Sequence, residues 1–134
     1  MASEKDKTTE NLTVDLFWKP KSALSNELTG LALKSCHLTS LPDAIMELKS
    51  LKSLSLNDNP FAYIPPKIMQ ISLLQTLHLK RNNIRLIPPQ ISNLQNLKEL
   101  CLDSNRLATI DNLCKLPVLR VLSLRGNRVS TLPY

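Results

Sequence analysis

The sequence predicts an α/β solenoid, a right-handed β-α superhelix with short parallel strands on its concave face and short helical or 3₁₀ turns on its convex face. Three observations predict it. The pattern LxxLxLxxN recurs with its first leucine at 28, 51, 74, 97 and 119, in steps of 23, 23, 23 and 22 residues. Two more apolar positions follow in every unit, first Leu38, Phe61, Ile84, Leu107 and Val129, then Leu41, Ile64, Ile87, Ile110 and Leu132. Aromatic residues make up only 4% of the 134 residues and glycines number two, so the core is built from aliphatic side chains. A fixed period of this length marks units that bury their apolar faces only against their neighbours.

Each element follows from the letters of the unit. The central LxL has the period of two that belongs to a strand, so Ala32, Ser55, His78, Cys101 and Ser123 point away from their flanking leucines. Stacked at about 4.8 Å per strand, the units form one parallel sheet over a shared interior. Each fully buried aliphatic side chain contributes roughly 1.5 to 3 kcal/mol there. At the ninth position stand Asn59, Asn82, Asn105 and Asn127, short amides that donate and accept within a tight turn and are expected to form a ladder. Cys36 takes that slot in the first unit as a structural thiol. The stretches PDAIMELKS, PPKIMQISL and PPQISNLQN then carry apolar residues at a spacing of three, with prolines suited to a first helical position. Short helical or 3₁₀ returns are predicted there, and because strands pack closer than these bulkier segments, the stack should curve with its strands inside.

The organisation is a polar N-terminal tail and cap over 1–27, then an array of five units at 28–50, 51–73, 74–96, 97–118 and an incomplete 119–134. Residues 1–11 are charged and polar, whereas Leu12 to Leu24 carries Leu12, Val14, Leu16, Phe17 and Trp18. Phe17 and Trp18 are read as the lid over the first unit or as an anchor for a partner. In the fifth unit Leu119, Leu122, Leu124, Val129 and Leu132 have no following repeat to cover them. That apolar edge fits a truncated chain, an incompletely covered natural end, or association with a partner through the uncapped C-terminal edge.

These repeats resemble the leucine-rich repeat family over residues 28–134. The pairs Leu41-Pro42, Ile64-Pro65, Ile87-Pro88 and Leu132-Pro133 are similar to the intracellular Ras-suppressor and Scribble-like subclass. In the fourth unit Ile110-Asp111 replaces that pair, and LATIDNLCKLPVLRVLSL is similar to the 22-residue repeats of phosphatase regulators. The resemblance implies a non-catalytic interaction module or scaffold that binds a partner protein on its strand face. A narrower implication is a regulatory binder of a protein phosphatase or of a small GTPase signalling component.

Composition and motifs narrow the classes. No run approaches the roughly 20 apolar residues of a membrane span, the first ten residues lack an apolar signal core, and three scattered cysteines make no disulfide framework. An intracellular, cytoplasmic setting without membrane insertion is expected. Two glycines build no phosphate loop, and the two histidines and three cysteines show no zinc-ligand spacing, so neither cofactor nor metal is expected. Ser55, His78 and Cys101 share a column, and a Cys101–His78 pair is the one constellation that would make a cysteine-dependent enzyme. An open sheet face offers that pair no pocket or oxyanion donors, so the chain is read as not an enzyme.

The strand face is the candidate site. Positions 2, 3, 5, 7 and 8 of each unit line it, and the contact residues are Lys34, Ser55, Asn57, Asp58, His78, Lys80, Arg81, Glu99, Cys101, Asp103 and Arg125. None is aromatic, which disfavours a stacking platform for nucleic acid. Residues 28–134 hold 13 basic and 6 acidic side chains, and from Lys115 onward there are four basic residues and no acid. A protein partner with an acidic segment is expected.

Overall fold

A computed structural model of the chain describes residues 28–130. The expectations placed on Phe17, Trp18 and the rest of the N-terminal segment, and on Leu132, Pro133 and Tyr134, lie outside the described residues.

Five three-residue strands form one parallel sheet in sequence order: β1 (Gly30–Ala32), β2 (Ser53–Ser55), β3 (Thr76–His78), β4 (Glu99–Cys101) and β5 (Val121–Ser123). The register is without slip, because Leu31, Leu54, Leu77, Leu100 and Leu122 pair in turn across the sheet. Strands this short leave a long crossover, and only a parallel stack lets each unit repeat the same path. The pairing runs past the strand ends: Leu33 N–H donates to Ser55 O, Leu56 N–H to His78 O, and Leu79 N–H to Cys101 O, each at 2.8 Å.

The described returns are 3₁₀ helices at Asp43–Glu47, Pro66–Gln70, Pro89–Asn93 and Asp111–Lys115, and none of these four is an α-helix. The apolar spacing of three explains this. With three residues per turn, Ile45 and Leu48, Ile68 and Ile71, Ile91 and Leu94, and Leu113 and Leu116 each stack on one buried stripe. Only Pro66 and Pro89 occupy the first helical turn, while Pro42, Pro65 and Pro88 stand at the cap before it. The proline shared by three units therefore ends the incoming extended segment rather than opening the helix. The fourth return starts without proline, from Ile110 at φ −125°.

One continuous core runs from Leu28 to Leu116, and it is not wholly aliphatic as expected, because the ring of Phe61 is fully buried in it. Leu54, Leu77 and Leu100 are fully buried at 0% exposure, whereas Leu122 in β5 is 38% exposed. Leu119, Leu124 and Val129 are only partly buried against the core. The predicted inward leucines thus hold through the fourth unit, and burial weakens in the fifth.

The asparagine ladder forms, and it ties each unit to the one before. Asn105 Oδ1 accepts from Ile84 N–H at 3.0 Å, and its Nδ2 donates to Leu79 O at 2.8 Å and Leu102 O at 3.0 Å. Asn82 and Asn127 repeat the pattern on Phe61 and Leu107. Asn59 Oδ1 takes both Cys36 N–H and Leu38 N–H. Cys36 keeps one contact of the amide it replaces, since its Sγ reaches Lys34 O at 2.9 Å just as Asn59 Nδ2 reaches Asn57 O. The eighth position is left-handed in every unit: Ser35, Asp58, Arg81 and Ser104 lie at φ 56° to 62°, and Gly126 at 73°. That turn folds the chain off the strand and aims position 8 outward.

Candidate functional site

The inward leucines of β2, β3 and β4 fix where the intervening side chains go. Ser55, His78 and Cys101 stand half-buried in one column on the open face, paired in register strand to strand. Glu99 lies in the neighbouring column, opposite Thr76. Two residues beyond each strand comes the row of Lys34, Asn57, Lys80, Asp103 and Arg125, with Asp58 and Arg81 in the next position outward.

Several of the candidate contact residues are engaged within the chain. Arg81 holds Asp58 through two parallel contacts, Nε to Oδ1 and the terminal nitrogen to Oδ2 at 2.8 Å. This hydrogen bond holds the Asp58 carboxyl below the usual carboxylate range, against a smaller opposing effect of burial. Asn57 Oδ1 accepts Lys80 N–H at 2.7 Å. Asp103 Oδ1 accepts both Ser123 Oγ–H at 2.5 Å and Arg125 N–H at 2.8 Å. Burial alone would raise the Asp103 pKa, but these donors and the Cys101 thiol outweigh it and lower it. Asn57 and Asp103 therefore serve the next unit's backbone as well as the surface.

Among the described residues no hydrogen bond joins Cys101 to His78. His78 Nε2 lies 2.8 Å from Glu99 Oε2, so that ring nitrogen is committed to a carboxylate two residues before Cys101 on the same strand. Burial pushes the Cys101 thiol pKa up, and the Asp103 charge adds to the rise while the Asp103 backbone opposes it. A thiol so shifted is protonated at neutral pH and is a poor nucleophile. A cleft of about 310 Å³ lies instead on the return side, lined by residues such as Ile64, Pro66, Met69 and Pro88.

Charge separates the residues further. Among the described residues the ion pairs are Lys67–Asp43 between two returns and Arg81–Asp58, and His78 meets Glu99 through a hydrogen bond. Lys34, Lys80 and Arg125 are in none of them. Lys52, Lys98 and Arg120, exposed at the second position of their units and outside the sequence-derived contact set, are in none either. Their signal in the sequence is a Lys or Arg recurring at one fixed position of the unit with no acid in the same row.

One strand per unit, a 3₁₀ return and a ladder of turn asparagines define a parallel solenoid, a class whose stacked units expose an extended strand face. The chain belongs to the leucine-rich repeat family: the family model described as a leucine-rich repeat region matches residues 26–133. No curated protein sequence matches the chain. Among solved structures, a leucine-rich repeat protein of Leptospira interrogans is 34% identical with a TM-score of 0.77, over 81% of this chain and 28% of that one. Internalin C2 of Listeria monocytogenes is 27% identical with a TM-score of 0.70, over 81% of this chain and 46% of its own. The leucine-rich repeat ectodomain of the Arabidopsis thaliana receptor kinase SOBIR1 shares the fold at 24% identity and a TM-score of 0.57, over 80% of this chain and 75% of that one. The chain thus spans less than half the length of the first two. Among the described residues, no helix is long and apolar enough to cross a membrane.

Proposed function

We propose that the chain is a non-catalytic, intracellular protein-interaction module that captures a partner protein bearing an acidic segment on its strand face. The observation that carries this is the set of cations on that face, Lys34, Lys80 and Arg125, which form no salt bridge among the described residues and feel the Asp58 or Asp103 charge only at longer range, while the neighbouring Arg81 is held directly by Asp58. A sheet locked by backbone bonds and an asparagine ladder orders little on binding, so charge complementarity is spent on capture. The three cysteines, all free, support a reducing compartment.

The Leu-Pro and Ile-Pro pairs support the Ras-suppressor and Scribble-like subclass. A narrower form, regulation of a protein phosphatase or small GTPase component, draws its support from the 22-residue fourth unit, and co-purifying phosphatase activity tests it. For the main function, a double Lys34→Glu, Lys80→Glu chain is compared with the original in proximity labelling and pull-down. Loss of captured proteins with an unchanged melting temperature is expected. Unaltered capture overturns the strand face as the binding surface.

A further inference from the structure

The seventh-position row has a period that the acidic-partner function does not by itself explain. Its five members stand in line, because the backbone pairing continues there: Ser35 N–H donates to Asn57 O at 3.0 Å, Asp58 N–H to Lys80 O at 2.8 Å, Arg81 N–H to Asp103 O at 2.9 Å, and Ser104 N–H to Arg125 O at 2.6 Å. Cations occupy every second place, at Lys34, Lys80 and Arg125. Parallel strands lie about 4.8 Å apart, so neighbouring cations are rooted about 9.6 Å apart.

The places between them are not blank. Asn57 is neutral and holds Lys80 N–H through its side-chain oxygen. Asp103 is an anion, kept ionised and pinned by Ser123 and the Arg125 amide. A partner carboxylate opposite Asp103 is repelled, while one opposite Lys80 or Arg125 is attracted. Attraction thus has a two-strand period, and Asp103 adds repulsion at one of the two places between the cations.

We propose that this row recognises an acidic segment in an extended, polyproline-II-like conformation that carries a carboxylate at every third residue. The three regular conformations separate on this length. A polyproline-II segment turns once per three residues and rises about 3.1 Å per residue, which puts every third side chain on one side at about 9.3 Å. A β-strand puts same-side residues about 6.7 Å apart, and its third residue points the other way. An α-helix brings i+3 and i+4 to one face at about 5 to 6 Å, which sets an acid against Asp103, and its i+7 side chains, about 10.5 Å apart, overshoot the row by about 0.9 Å per interval where polyproline II differs by about 0.3 Å. Seven residues, with acids at the first, fourth and seventh, span Lys34 to Arg125.

The inference rests on the strand-face function proposed above, and the test separates the two. Fluorescence anisotropy at low salt measures binding of the whole chain to four labelled peptides: (Glu-Pro-Pro)₄, the same composition with its four glutamates in one block, (Gln-Pro-Pro)₄, and an alanine-based helix with Glu at every seventh residue. The phased acidic peptide is expected to bind about fivefold more tightly than the blocked one. Lys80→Glu should remove that preference, the charge-matched Lys115→Glu on the opposite side should keep it, and Asp103→Asn should narrow it by admitting the blocked peptide. Equal binding of phased and blocked peptides overturns the spacing but leaves an acidic partner standing. Tighter binding of the helix overturns the extended conformation. Equal binding of the glutamate and glutamine peptides overturns the acidic partner itself.

Discussion

Asn82 holds the turn of the unit before its own, accepting the Phe61 amide on Oδ1 at 3.2 Å while its Nδ2 donates to Leu56 O at 3.1 Å. Both residues are buried, so Asn82→Ala strands a backbone donor and several carbonyls away from water. A loss of about 2 to 4 kcal/mol is expected in urea unfolding. Asn127→Ala, at a half-buried site, should cost about 1 kcal/mol because solvent reaches the same groups. Equal costs at the two sites contradict the ladder as a buried hydrogen-bond device.

The left-handed eighth position gives a paired test. Gly126 lies at φ 73°, and a Cβ there would come within 3.2 Å of Ser104 Oγ. Gly126→Ala should destabilise by about 1 kcal/mol. Ser104→Gly, at φ 57°, should be neutral or slightly stabilising, because relief of the left-handed conformation offsets the added chain entropy. Thermal melts of both variants read the difference.

Core deletions should report the gradient of burial along the stack. Leu77→Ala removes a fully buried side chain between two packed neighbours and should cost about 3 to 5 kcal/mol. For Leu122→Ala, partly exposed already, a cost near 1 kcal/mol is expected. Comparable losses would show that the fifth unit is packed as tightly as the third.

The Asp58–Arg81 pair sets a pH dependence. The Asp58 pKa is lowered in the folded chain, chiefly by its hydrogen bond to Arg81. Its contribution is therefore complete above the unfolded carboxylate value of about 3.9 and is lost as pH falls through the depressed folded value. Melting temperature measured against pH should fall across that acidic window, and Asp58→Asn should flatten this part of the curve. A profile that the substitution leaves unchanged contradicts the pairing.

Burial raises the Cys101 pKa, so this thiol should react slowly with a disulfide reagent at neutral pH. Cys114, exposed on the fourth return, should be modified first. Labelling followed by peptide mass spectrometry gives the order, and rapid labelling of Cys101 contradicts the raised pKa.

Most of the fold was legible because the apolar letters repeat at fixed offsets. Leu31, Leu54, Leu77 and Leu100 face inward as the period of two requires, and the spacing of three in Ile68 and Ile71 is that of a 3₁₀ turn. The role of the shared proline was less legible, since capping and first-turn positions differ by one residue and proline suits both. The candidate site was legible as a surface but not as a set of partners. A Cys101–His78 column reads from spacing alone, yet His78 turns to Glu99, the carboxylate within its reach.

The sequence by itself determined the period, the parallel stack, the apolar core and the asparagine turns, because each depends on residue type at a fixed place within one unit. Only the tertiary structure decided which charges are spent inside the chain. Arg81 belongs to Asp58, and Asp103 to Ser123 and the Arg125 amide, through contacts that cross from one unit to the next. Such contacts depend on side-chain reach and direction between stacked turns, which no offset along the chain encodes, and in the seventh-position row they leave Lys34, Lys80 and Arg125 outside any salt bridge of the described residues.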